Sequence, residues 1–373
     1  MWDFTKVNQW LQIPILDRFV EPVENGYFYI TNEFLKEGNQ KKYYIKNPSP
    51  SVLCSEDDIL MTRTWNTWKI VTWVSWAFHN NFFKIKYDKY FYNRLFLCKF
   101  LWLDKIQNEI LKVAWTSTIP DLNHSDFYKL KITIPPLPEQ TKIALFLSTV
   151  DSMIEKLREK KSLVEAYKKW VMQQIFTREI RFKDENGEEY PEWEEKKLGA
   201  IWAIITWKTP STTNINLWDG DIQFVTPTDI NDNKYQIHTQ RTVKNNIAMK
   251  LLPAKSIIFT CIASIGKMSL SVYPCITNQQ INSIIPYANF DNEFIYYSLL
   301  EIADYIKSTP SANAVPIINK TEFSKFIIPI PSLPEQIKIA SFLSEIDAKI
   351  AMTTLQIEET EKWKKGLLQG MFV

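Results

Sequence analysis

The sequence predicts a mixed α/β (α+β) fold: two similar domains separated by two long antiparallel coiled-coil helices, arranged as a pseudo-two-fold internal repeat. Three observations support this prediction. A long segment recurs almost unchanged, a heptad-like apolar pattern follows each occurrence, and short β-rich runs precede each one. A chain of 373 residues is also long enough for two or three domains with their own hydrophobic cores.

The repeat is clearest around two proline-containing segments. Residues 134–154 read IPPLPEQTKIALFLSTVDSMI, and residues 330–350 read IPSLPEQIKIASFLSEIDAKI. The match continues without a gap from YKKWVMQQIF, which begins at Tyr167, to WKKGLLQGMF, which begins at Trp363. The period of 196 residues is far longer than the roughly 20–50 residues of solenoid repeats, so it indicates a duplicated domain-plus-helix unit.

Each LPEQ sequence predicts the start of a long helix. Proline at the first helical position and Glu-Gln in the first turn suit the free amide groups and the positive end of the helix dipole. Apolar residues then recur at alternating steps of four and three, as in a coiled-coil seam. The seam residues are Ile143, Leu147, Val150, Ile154, Leu157, Val164, Val171 and Ile175, then Ile339, Leu343, Ile346, Ile350, Ile357, Leu367 and Met371. Two matched helices pack most simply against each other; the alternative is that each packs on its own domain.

The chain divides into four predicted segments. The first domain covers residues 1–136, the first spacer helix 137–180, the second domain 185–332 and the second spacer helix 333–373. Runs such as GYFYIT, NFFKIKY, SIIFTCI and KFIIPI predict strands, and FDNEFIYYSLLEIADYIKS predicts one amphipathic helix. The polar segment RFKDENGEEYPEWEEKK is expected to be an exposed, mobile hinge between the two copies.

Composition bounds the class of protein. Hydrophobic content of 45% and charged content of 23% are typical of a soluble globular protein. No apolar run approaches the roughly 18 residues of a spanning helix, and the start has no signal-peptide pattern, so we expect a cytoplasmic protein. Four cysteines without a CxxC pair and three histidines predict reduced thiols and no metal site. A net charge of +2 neither requires nor excludes nucleic acid.

Motifs for catalysis are missing from the sequence. There is no Asn/Asp-Pro-Pro-aromatic run and no glycine-rich cofactor loop. SIGKMS at 264–269 ends like a phosphate-binding loop, but Cys261 stands where that motif needs glycine. Glu194 and Lys196 belong to a charged run, and His79 has no matching nucleophile. We therefore expect no catalytic residue and no cofactor bound by this chain.

The abundance of tryptophan is abnormal. The chain has 14 tryptophans and 8 glycines, whereas average usage is about 7% glycine. Four of the tryptophans lie in MTRTWNTWKIVTWVSWAFHNN at 61–81. The repeat places Trp2, Trp68 and Trp170 over glycines 199, 266 and 366. Such positions suit a residue without a side chain. The alternative is an aromatic surface, of the kind on which single-stranded nucleic acids stack.

We interpret most of these tryptophans as UGA codons that the native genetic code reads as glycine. Trp193 and Trp363 are interpreted as genuine tryptophans. The position of the true start codon is a separate question, because the second copy has a lead-in before its domain that the first copy lacks. The positions in question are Trp2, Trp10, Trp65, Trp68, Trp73, Trp76, Trp170, Trp207 and Trp218.

The chain resembles the specificity subunit of type I restriction–modification enzymes over essentially its whole length. The resemblance rests on the paired IPPLPEQ and IPSLPEQ segments that lead into long helices, on YPEWEEKKLG at the start of the second copy, and on TWKTPST and GDIQFVTPTDI after it. It implies that each α/β segment is a target-recognition domain for one half of a bipartite double-stranded DNA site, and that the helices fix the spacing and dock methylation subunits.

The resemblance also implies where the chemistry occurs. Two methylation subunits with S-adenosylmethionine and a restriction/translocase subunit with ATP and magnesium are the expected partners, and this chain is expected to have no turnover. One alternative is a non-catalytic coiled-coil scaffold that reads no DNA sequence. A modification enzyme with its own active site is the other, and the missing motifs argue against it.

Polar side chains of the variable domains are expected to read bases, with lysine and arginine on phosphates. For each of them the alternative is a loop residue that caps backbone groups. The candidates are Thr62, Arg63, Asn66, Lys69, His79, Asn80 and Asn81 in the first copy, and Lys208, Thr209, Ser211, Ser264, Lys267, Asn278, Gln279 and Gln280 in the second.

The glycine interpretation predicts the codons of the gene. We expect UGA at positions 65, 68, 73 and 76, because the second copy has glycine in the column of Trp68. Sequencing the gene, with the codons of Trp193 and Trp363 as UGG controls, measures this directly. UGG at all four positions would contradict the interpretation.

Overall fold

A computed structural model describes residues 5–8, 13–35, 41–63, 69–114, 124–131, 134–231, 233–245, 250–309 and 316–372. The chain forms two compact units. Unit 1 consists of Met1–Leu157 and Gln356–Val373, and unit 2 of Arg158–Leu355. Each unit therefore contains one α/β domain and parts of both long helices.

Unit 1 has seven described strands in two sheets, followed by three helices of its own domain. Its strands are β1 (Thr5–Asn8), β2 (Gly26–Ile30), β3 (Tyr44–Lys46), β4 (Ile59–Thr62), β5 (Ile70–Val71), β6 (Ala77–Phe78) and β7 (Phe82–Tyr87). Its domain helices are α1 (Arg94–Leu101), α2 (Asp104–Ala114) and α3 (His124–Lys129). The long helix α4 (Leu137–Phe176) begins in this unit.

Among the described residues, unit 2 repeats this order and adds three strands and one short helix. Its strands are β8 (Glu194–Lys197), β9 (Trp202–Ile205), β10 (Trp218–Val225), β11 (Tyr235–Gln236), β12 (Arg241–Val243), β13 (Ile257–Thr260), β14 (Met268–Ser271), β15 (Cys275–Thr277), β16 (Ile281–Pro286) and β17 (Ile327–Ile330). Its helices are α5 (Leu198–Ile201), α6 (Asn292–Glu301), α7 (Ala303–Ser308), α8 (Lys320–Phe323) and the long α9 (Leu333–Met371).

The two domains share a sheet topology. In unit 1 the strands pair in the orders β1-β7-β4-β5 and β3-β2-β6. In unit 2 the corresponding orders are β9-β16-β13-β14, extended by β11, and β12-β10-β15. In each domain the second sheet contains one parallel pair, β2 with β6 and β10 with β15. The internal repeat read from the sequence is thus a repeat of the fold.

The main sheet of each domain is buried on both faces. In unit 1, Ile59 and Ile85 pack with the helices, whereas Leu60 and Phe82 pack on the other face against β2 and β6. All four side chains are fully buried. This explains why these strands read as nearly continuous apolar runs rather than as an alternating pattern.

The predicted amphipathic helix of the second domain is two helices. α6 ends at Glu301, and α7 begins at Ala303 after Ile302, whose backbone (φ −93°, ψ 4°) leaves the helical region. Asp291 caps α6 by accepting a hydrogen bond from the Phe294 backbone amide at 2.8 Å. The prediction of one continuous helix over this run was therefore wrong at Ile302.

The first long helix ends four residues earlier than the boundary predicted at residue 180. α4 stops at Phe176, and Arg178 then adopts a left-handed conformation with φ +65°. The Ile180 amide donates back to the Gln174 carbonyl at 3.1 Å, which closes the helix end. The second helix ends at Met371, two residues before the end of the predicted range.

The predicted hinge is exposed at most of its residues, as expected, but two of its side chains anchor it within unit 2. Arg181 donates to Glu192, to two backbone carbonyls and to the fully buried Glu335. The Trp193 side chain is only 7% exposed and packs edge-on against Phe176 and Phe294. A buried aromatic ring and a buried ion pair hold the segment in place, which its polar composition concealed.

The glutamine of the first LPEQ anchors α4 to its domain. Gln140 is fully buried, and its Oε1 accepts from the Asn93 amide at 2.9 Å. Its Nε2 donates to the carbonyls of Phe91 and Pro135 at 2.7 and 2.9 Å. Asn93 is the N-cap of α1, so one side chain ties the start of α4 to the start of the first domain helix.

The second LPEQ glutamine makes two equivalent contacts in unit 2. Gln336 accepts from the amide of Asp291, the N-cap of α6, at 2.9 Å and donates to the Pro331 carbonyl at 2.9 Å. It is only 1% exposed. In both units a buried amide satisfies backbone groups that would otherwise lack partners.

The two long helices pack antiparallel within each unit, and an ion pair links them at equivalent positions of the repeat. In unit 1, Asp151 on α4 pairs with Lys364 on α9 at 2.6 Å. In unit 2, Asp347 on α9 pairs with Lys168 on α4 at 2.6 Å. All of the predicted seam residues are buried or half-buried.

Local geometry bears on the tryptophan positions in different ways. Trp73 has φ +64° and a side chain that is 58% exposed, a conformation that favours glycine. Gly266, in the column of Trp68, has φ +96°. Trp218 is packed: it is 3% exposed, donates to the Ser211 carbonyl and lies under the Arg241 guanidinium. Gly366 has open space around it, so its column sets no steric demand on Trp170.

The glutamine anchor yields a stability prediction. Gln336→Leu leaves the Asp291 amide and the Pro331 carbonyl buried without a partner, so we expect the free energy of unfolding to fall by about 1–3 kcal/mol. Chemical denaturation measures the change, and Gln356→Leu, at an exposed position of the same helix, is the control. Equal stability of the two variants would contradict the anchoring role.

Candidate nucleic-acid interface

A hairpin closed by a threonine lies at the edge of the main sheet in unit 1. The Thr62 amide donates to the Lys69 carbonyl at 2.9 Å, and the Lys69 amide donates to Thr62 Oγ1 at 2.8 Å. The Thr62 side chain is fully buried. Thr62 therefore closes the β4–β5 hairpin, and its hydroxyl oxygen is engaged within it.

Unit 2 has the same hairpin between β13 and β14. The Thr260 amide donates to the Lys267 carbonyl at 2.9 Å, and the Lys267 amide donates to Thr260 Oγ1 at 3.0 Å. The Thr260 hydroxyl also donates to the Ser264 carbonyl at 2.5 Å. Thr62 and Thr260 therefore make equivalent hydrogen bonds, which supports the alignment of the two copies.

A tight turn precedes an interior strand of each main sheet, β7 in unit 1 and β16 in unit 2. In unit 1 the His79 amide donates to the Ile30 carbonyl at 3.0 Å, and His79 Nδ1 accepts from the Asn81 amide at 3.1 Å. In unit 2 the Asn278 amide donates to the Val225 carbonyl at 3.2 Å, and Asn278 Oδ1 accepts from the Gln280 amide at 3.0 Å. A neutral imidazole and an amide thus perform the same task.

The turn and the hairpin are joined by one backbone hydrogen bond in each unit. The Arg63 amide donates to the Asn81 carbonyl at 2.8 Å, and the Cys261 amide donates to the Gln280 carbonyl at 2.9 Å. We call this combination the hairpin–turn module: residues 59–63, 69–71 and 78–82 in unit 1, and 257–271 and 277–281 in unit 2. The candidates selected from sequence concentrate in these two modules.

The module of unit 2 presents several polar side chains to solvent. Lys267 and Gln279 are exposed, and so is Lys208 in the segment after β9. Thr209 Oγ1 donates to Gln279 Oε1 at 2.7 Å, which brings that segment next to the turn. Lysines beside amide and hydroxyl groups suit the combination of phosphate and base contacts.

Other candidates of unit 2 have structural roles. Asn278 is 7% exposed and shapes the turn, and the Gln280 carbonyl accepts a hydrogen bond from the Cys261 amide of the hairpin. Ser264 bonds Thr260 through its carbonyl. Ser211 Oγ lies 2.9 Å from Thr213 Oγ1, and its carbonyl accepts from Trp218 Nε1 at 3.0 Å.

The basic candidates of unit 1 are partly committed to protein contacts. The half-buried Arg63 guanidinium lies 5.5 Å from the centroid of the Phe83 ring. Lys69 Nζ donates to the Leu35 carbonyl at 2.6 Å. Asn80 and Asn81 are half-buried, and Asn66 lies outside the described residues.

His79 is held in its neutral form. Burial, with a smaller contribution from the Arg18 guanidinium, lowers the pKa of His79 to about 4. Its Nδ1 accepts from the Asn81 amide, so the proton of the neutral ring lies on Nε2. The histidine is thus a polar contact of the turn.

A buried polar network in unit 2 was not predicted from the sequence. Lys234 Nζ lies within 3.0 Å of Glu293, Tyr297 and Ser344, and Tyr297 donates to Asp347 at 2.5 Å. Burial lowers the pKa of Lys234 despite the Glu293 carboxylate beside it. Lys234 stands in a polar loop sequence, which carries no signal that its amine is buried.

Several motifs set aside in the sequence have ordinary structural roles. SIGKMS forms the tip of the hairpin and the start of β14, with no helix after it. Glu194 and Lys196 pair with each other at 2.8 Å on β8. Across the described residues no cluster of histidine, cysteine or carboxylate side chains has metal-site geometry. In the same part of the chain, no helix has the length and apolarity to cross a bilayer.

Comparison with known proteins identifies the family. The family model described as the type I restriction modification DNA specificity domain matches residues 20–166 and 190–362, one match in each copy of the repeat. Both matches include the hairpin–turn module. The chain therefore belongs to the type I restriction–modification DNA specificity family.

Individual relatives carry related names. The MjaIX type I restriction enzyme specificity subunit of Methanocaldococcus jannaschii is 30% identical over 208 residues, which cover 53% of this chain and 48% of the relative. The MjaVIII specificity subunit from the same organism is 26% identical over 378 residues, covering 93% of this chain and 85% of that one. The chain thus spans about half the length of the first of these relatives.

A solved structure has a similar fold. The crystal structure of a type I restriction-modification system S subunit from M. genitalium aligns with a TM-score of 0.61 at 15% identity, covering 99% of this chain and 94% of that one. The likeness concerns the fold, including the two α/β domains and the long helices.

The neutral state of His79 predicts acid sensitivity. A buried histidine whose pKa is near 4 when folded and 6.5 when unfolded contributes stability above pH 6.5, and this is lost as the pH falls towards 4. We expect His79→Asn, which copies Asn278, to reduce the loss of thermal stability between pH 7 and pH 4.5. His238→Asn at an exposed site is the control. An unchanged loss in His79→Asn would contradict the assignment.

Proposed function

We propose that this chain is the DNA sequence-recognition subunit of a type I restriction–modification complex and that each α/β domain reads one half of a bipartite site. The observation that carries the proposal is the hairpin–turn module, which occurs in both domains with the same hydrogen bonds. The backbone frame is constant, whereas the side chains on it differ between the copies, as two unlike half-sites require.

The chemistry of the exposed side chains supports DNA as the ligand. In unit 2, Lys208, Lys267 and Gln279 are exposed around the module, and in unit 1 Arg63 and Asn80 are half-buried beside it. Lysine and arginine contact phosphates, and amide side chains pair with adenine edges in the major groove. A net charge of +2 is compatible with DNA binding when the basic groups are collected at such sites.

The long helices suit a spacer and a docking surface. α4 and α9 have 40 and 39 residues, about 60 Å each at 1.5 Å per residue. Both units leave large apolar side chains exposed on them, which marks interaction surfaces. Apart from Trp170, which we interpret as glycine, these residues include Leu145, Phe146, Met153 and Trp363 in unit 1, and Leu163, Tyr167, Ile337, Met352 and Leu355 in unit 2.

The partners supply the chemistry in this proposal. One apolar surface per unit supports two methylation subunits, which bind S-adenosylmethionine, and a restriction/translocase subunit that uses ATP and magnesium completes the complex. This chain is non-catalytic and acts in the cytoplasm. Its target-recognition domains cover residues 1–136 and 185–332, and its spacer helices lie within 137–180 and 333–373.

Exchanging one module tests the proposal. The chain is co-produced with the methylation subunit from the neighbouring gene, and genomic methylation is mapped at base resolution. We expect a bipartite motif, and we expect replacement of residues 61–81 by the same segment of another specificity subunit to change one half alone. The matched control is replacement of residues 259–280, which should change only the other half.

Two outcomes would contradict the proposal. Methylation at a continuous motif would exclude separate half-sites. Failure to co-purify with the methylation subunit, while the chain itself remains folded, would favour the scaffold alternative.

A further inference from the structure

A polar cleft lies beside the module of unit 1, and the predicted DNA contacts His79 and Asn81 form only part of its lining. Its volume is about 290 Å³, and its lining includes Arg18, Thr31, Glu33, Tyr43 and His79. The Arg18 guanidinium, the neutral His79 imidazole, the Thr31 hydroxyl and the Glu33 carboxylate meet there beside the Tyr43 ring. Arg18 and Thr31 were not among the residues selected from sequence.

The Arg18 guanidinium is held in one orientation. Its Nε and Nη2 donate to the Ile13 carbonyl at 3.1 and 2.7 Å. Its carbon lies 5.3 Å from the centroid of the Tyr29 ring and 5.8 Å from that of Tyr43. These contacts use one edge of the guanidinium and leave Nη1 and the second hydrogen of Nη2, a parallel pair of donors, for a ligand.

The Thr31 hydroxyl in the cleft is a buried polar group without a hydrogen-bond partner among the described residues. The side chain is only 5% exposed. At the equivalent position of unit 2, Thr226 Oγ1 donates to Asp229 Oδ2 at 2.6 Å. In unit 1 the third residue after the threonine is Phe34, so no carboxylate satisfies Thr31. Such a group points to a missing ligand.

The mixture of charges decides which part of DNA fits. A phosphate offers only acceptors and is repelled by a carboxylate, yet Glu33 lies on the cleft, with its Oε2 3.5 Å from the Tyr43 hydroxyl. A G·C pair offers the acceptors O6 and N7 of guanine next to the N4 donor of cytosine in the major groove. A parallel donor pair beside a carboxylate matches that pattern.

We propose that this cleft binds the major-groove edge of one G·C pair, with Arg18 donating to guanine O6 and N7 and Glu33 accepting from cytosine N4. The inference rests on the proposed function and adds to it a specificity-determining residue for the half-site that unit 1 reads. Unit 2 has no counterpart, because Asp229 closes the equivalent position.

Competition between duplexes tests the assignment. The wild-type complex with its methylation subunit is used first to map the methylated motif, and the exchange of residues 61–81 identifies the half read by unit 1. Affinity is then measured for duplexes in which each base pair of that half is replaced in turn. We expect one G·C pair whose replacement weakens binding by about 5-fold to about 150-fold.

Arg18→Gln is expected to abolish discrimination at that pair and to keep discrimination at all other positions. Glu33→Gln, at an exposed position that leaves the fold unaltered, is expected to reduce discrimination at the same pair. It carries the test if Arg18→Gln is found unfolded by circular dichroism. Arg178→Gln, at an exposed site after α4, is the matched control and should change nothing.

Each remaining outcome is decisive. Equal weakening of all duplexes by Arg18→Gln, with a smaller dependence of affinity on salt, would assign Arg18 to a phosphate and overturn the inference. A half-site without a G·C pair, or unaltered discrimination in both variants, would overturn it as well. Absence of any bipartite motif in the wild type would instead overturn the proposed function.

Discussion

The buried glutamine at the start of each long helix is the interaction that fixes this helix to the α/β domain of its own unit. Gln140 and Gln336 each bond the N-cap amide of a domain helix and the carbonyl of the proline five residues before them. Leaving such groups unpaired in the interior costs about 1–3 kcal/mol. The helix start and the α/β domain are thereby fixed to each other in each unit, as the proposed reading of spaced DNA half-sites requires.

Much of the fold was predictable because the sequence contains two copies of the same domain-plus-helix unit. Recurrence of the LPEQ segment, the heptad pattern and the apolar runs located the two long helices and several main strands, whereas the domain helices α1, α2 and α3 of unit 1 were not predicted. The roles of single polar residues were not predictable. Thr62 and Asn278 were selected as base contacts but are buried closures of hairpin and turn, because capping and base reading use the same side-chain types.

The two copies also show what duplication preserves and what it changes. The interhelical pair of aspartate and lysine is preserved at Asp151–Lys364 and Asp347–Lys168. The threonine after the parallel strand is also preserved, but Asp229 satisfies Thr226 whereas Thr31 opens onto a cleft. Such a difference is recognised only when the structures of both copies are compared, because the second copy shows which hydrogen-bond partner the first one lacks.

A thermodynamic cycle tests most directly that each copy reads its own half-site. The affinity of the methylation complex is measured for duplexes with an intact site, with the first half scrambled or with the second half scrambled, for the wild type and for Gln279→Ala in unit 2. The account predicts that Gln279→Ala weakens binding when the half read by unit 2 is intact and has no effect once that half is scrambled. An equal loss of affinity with every duplex would contradict it.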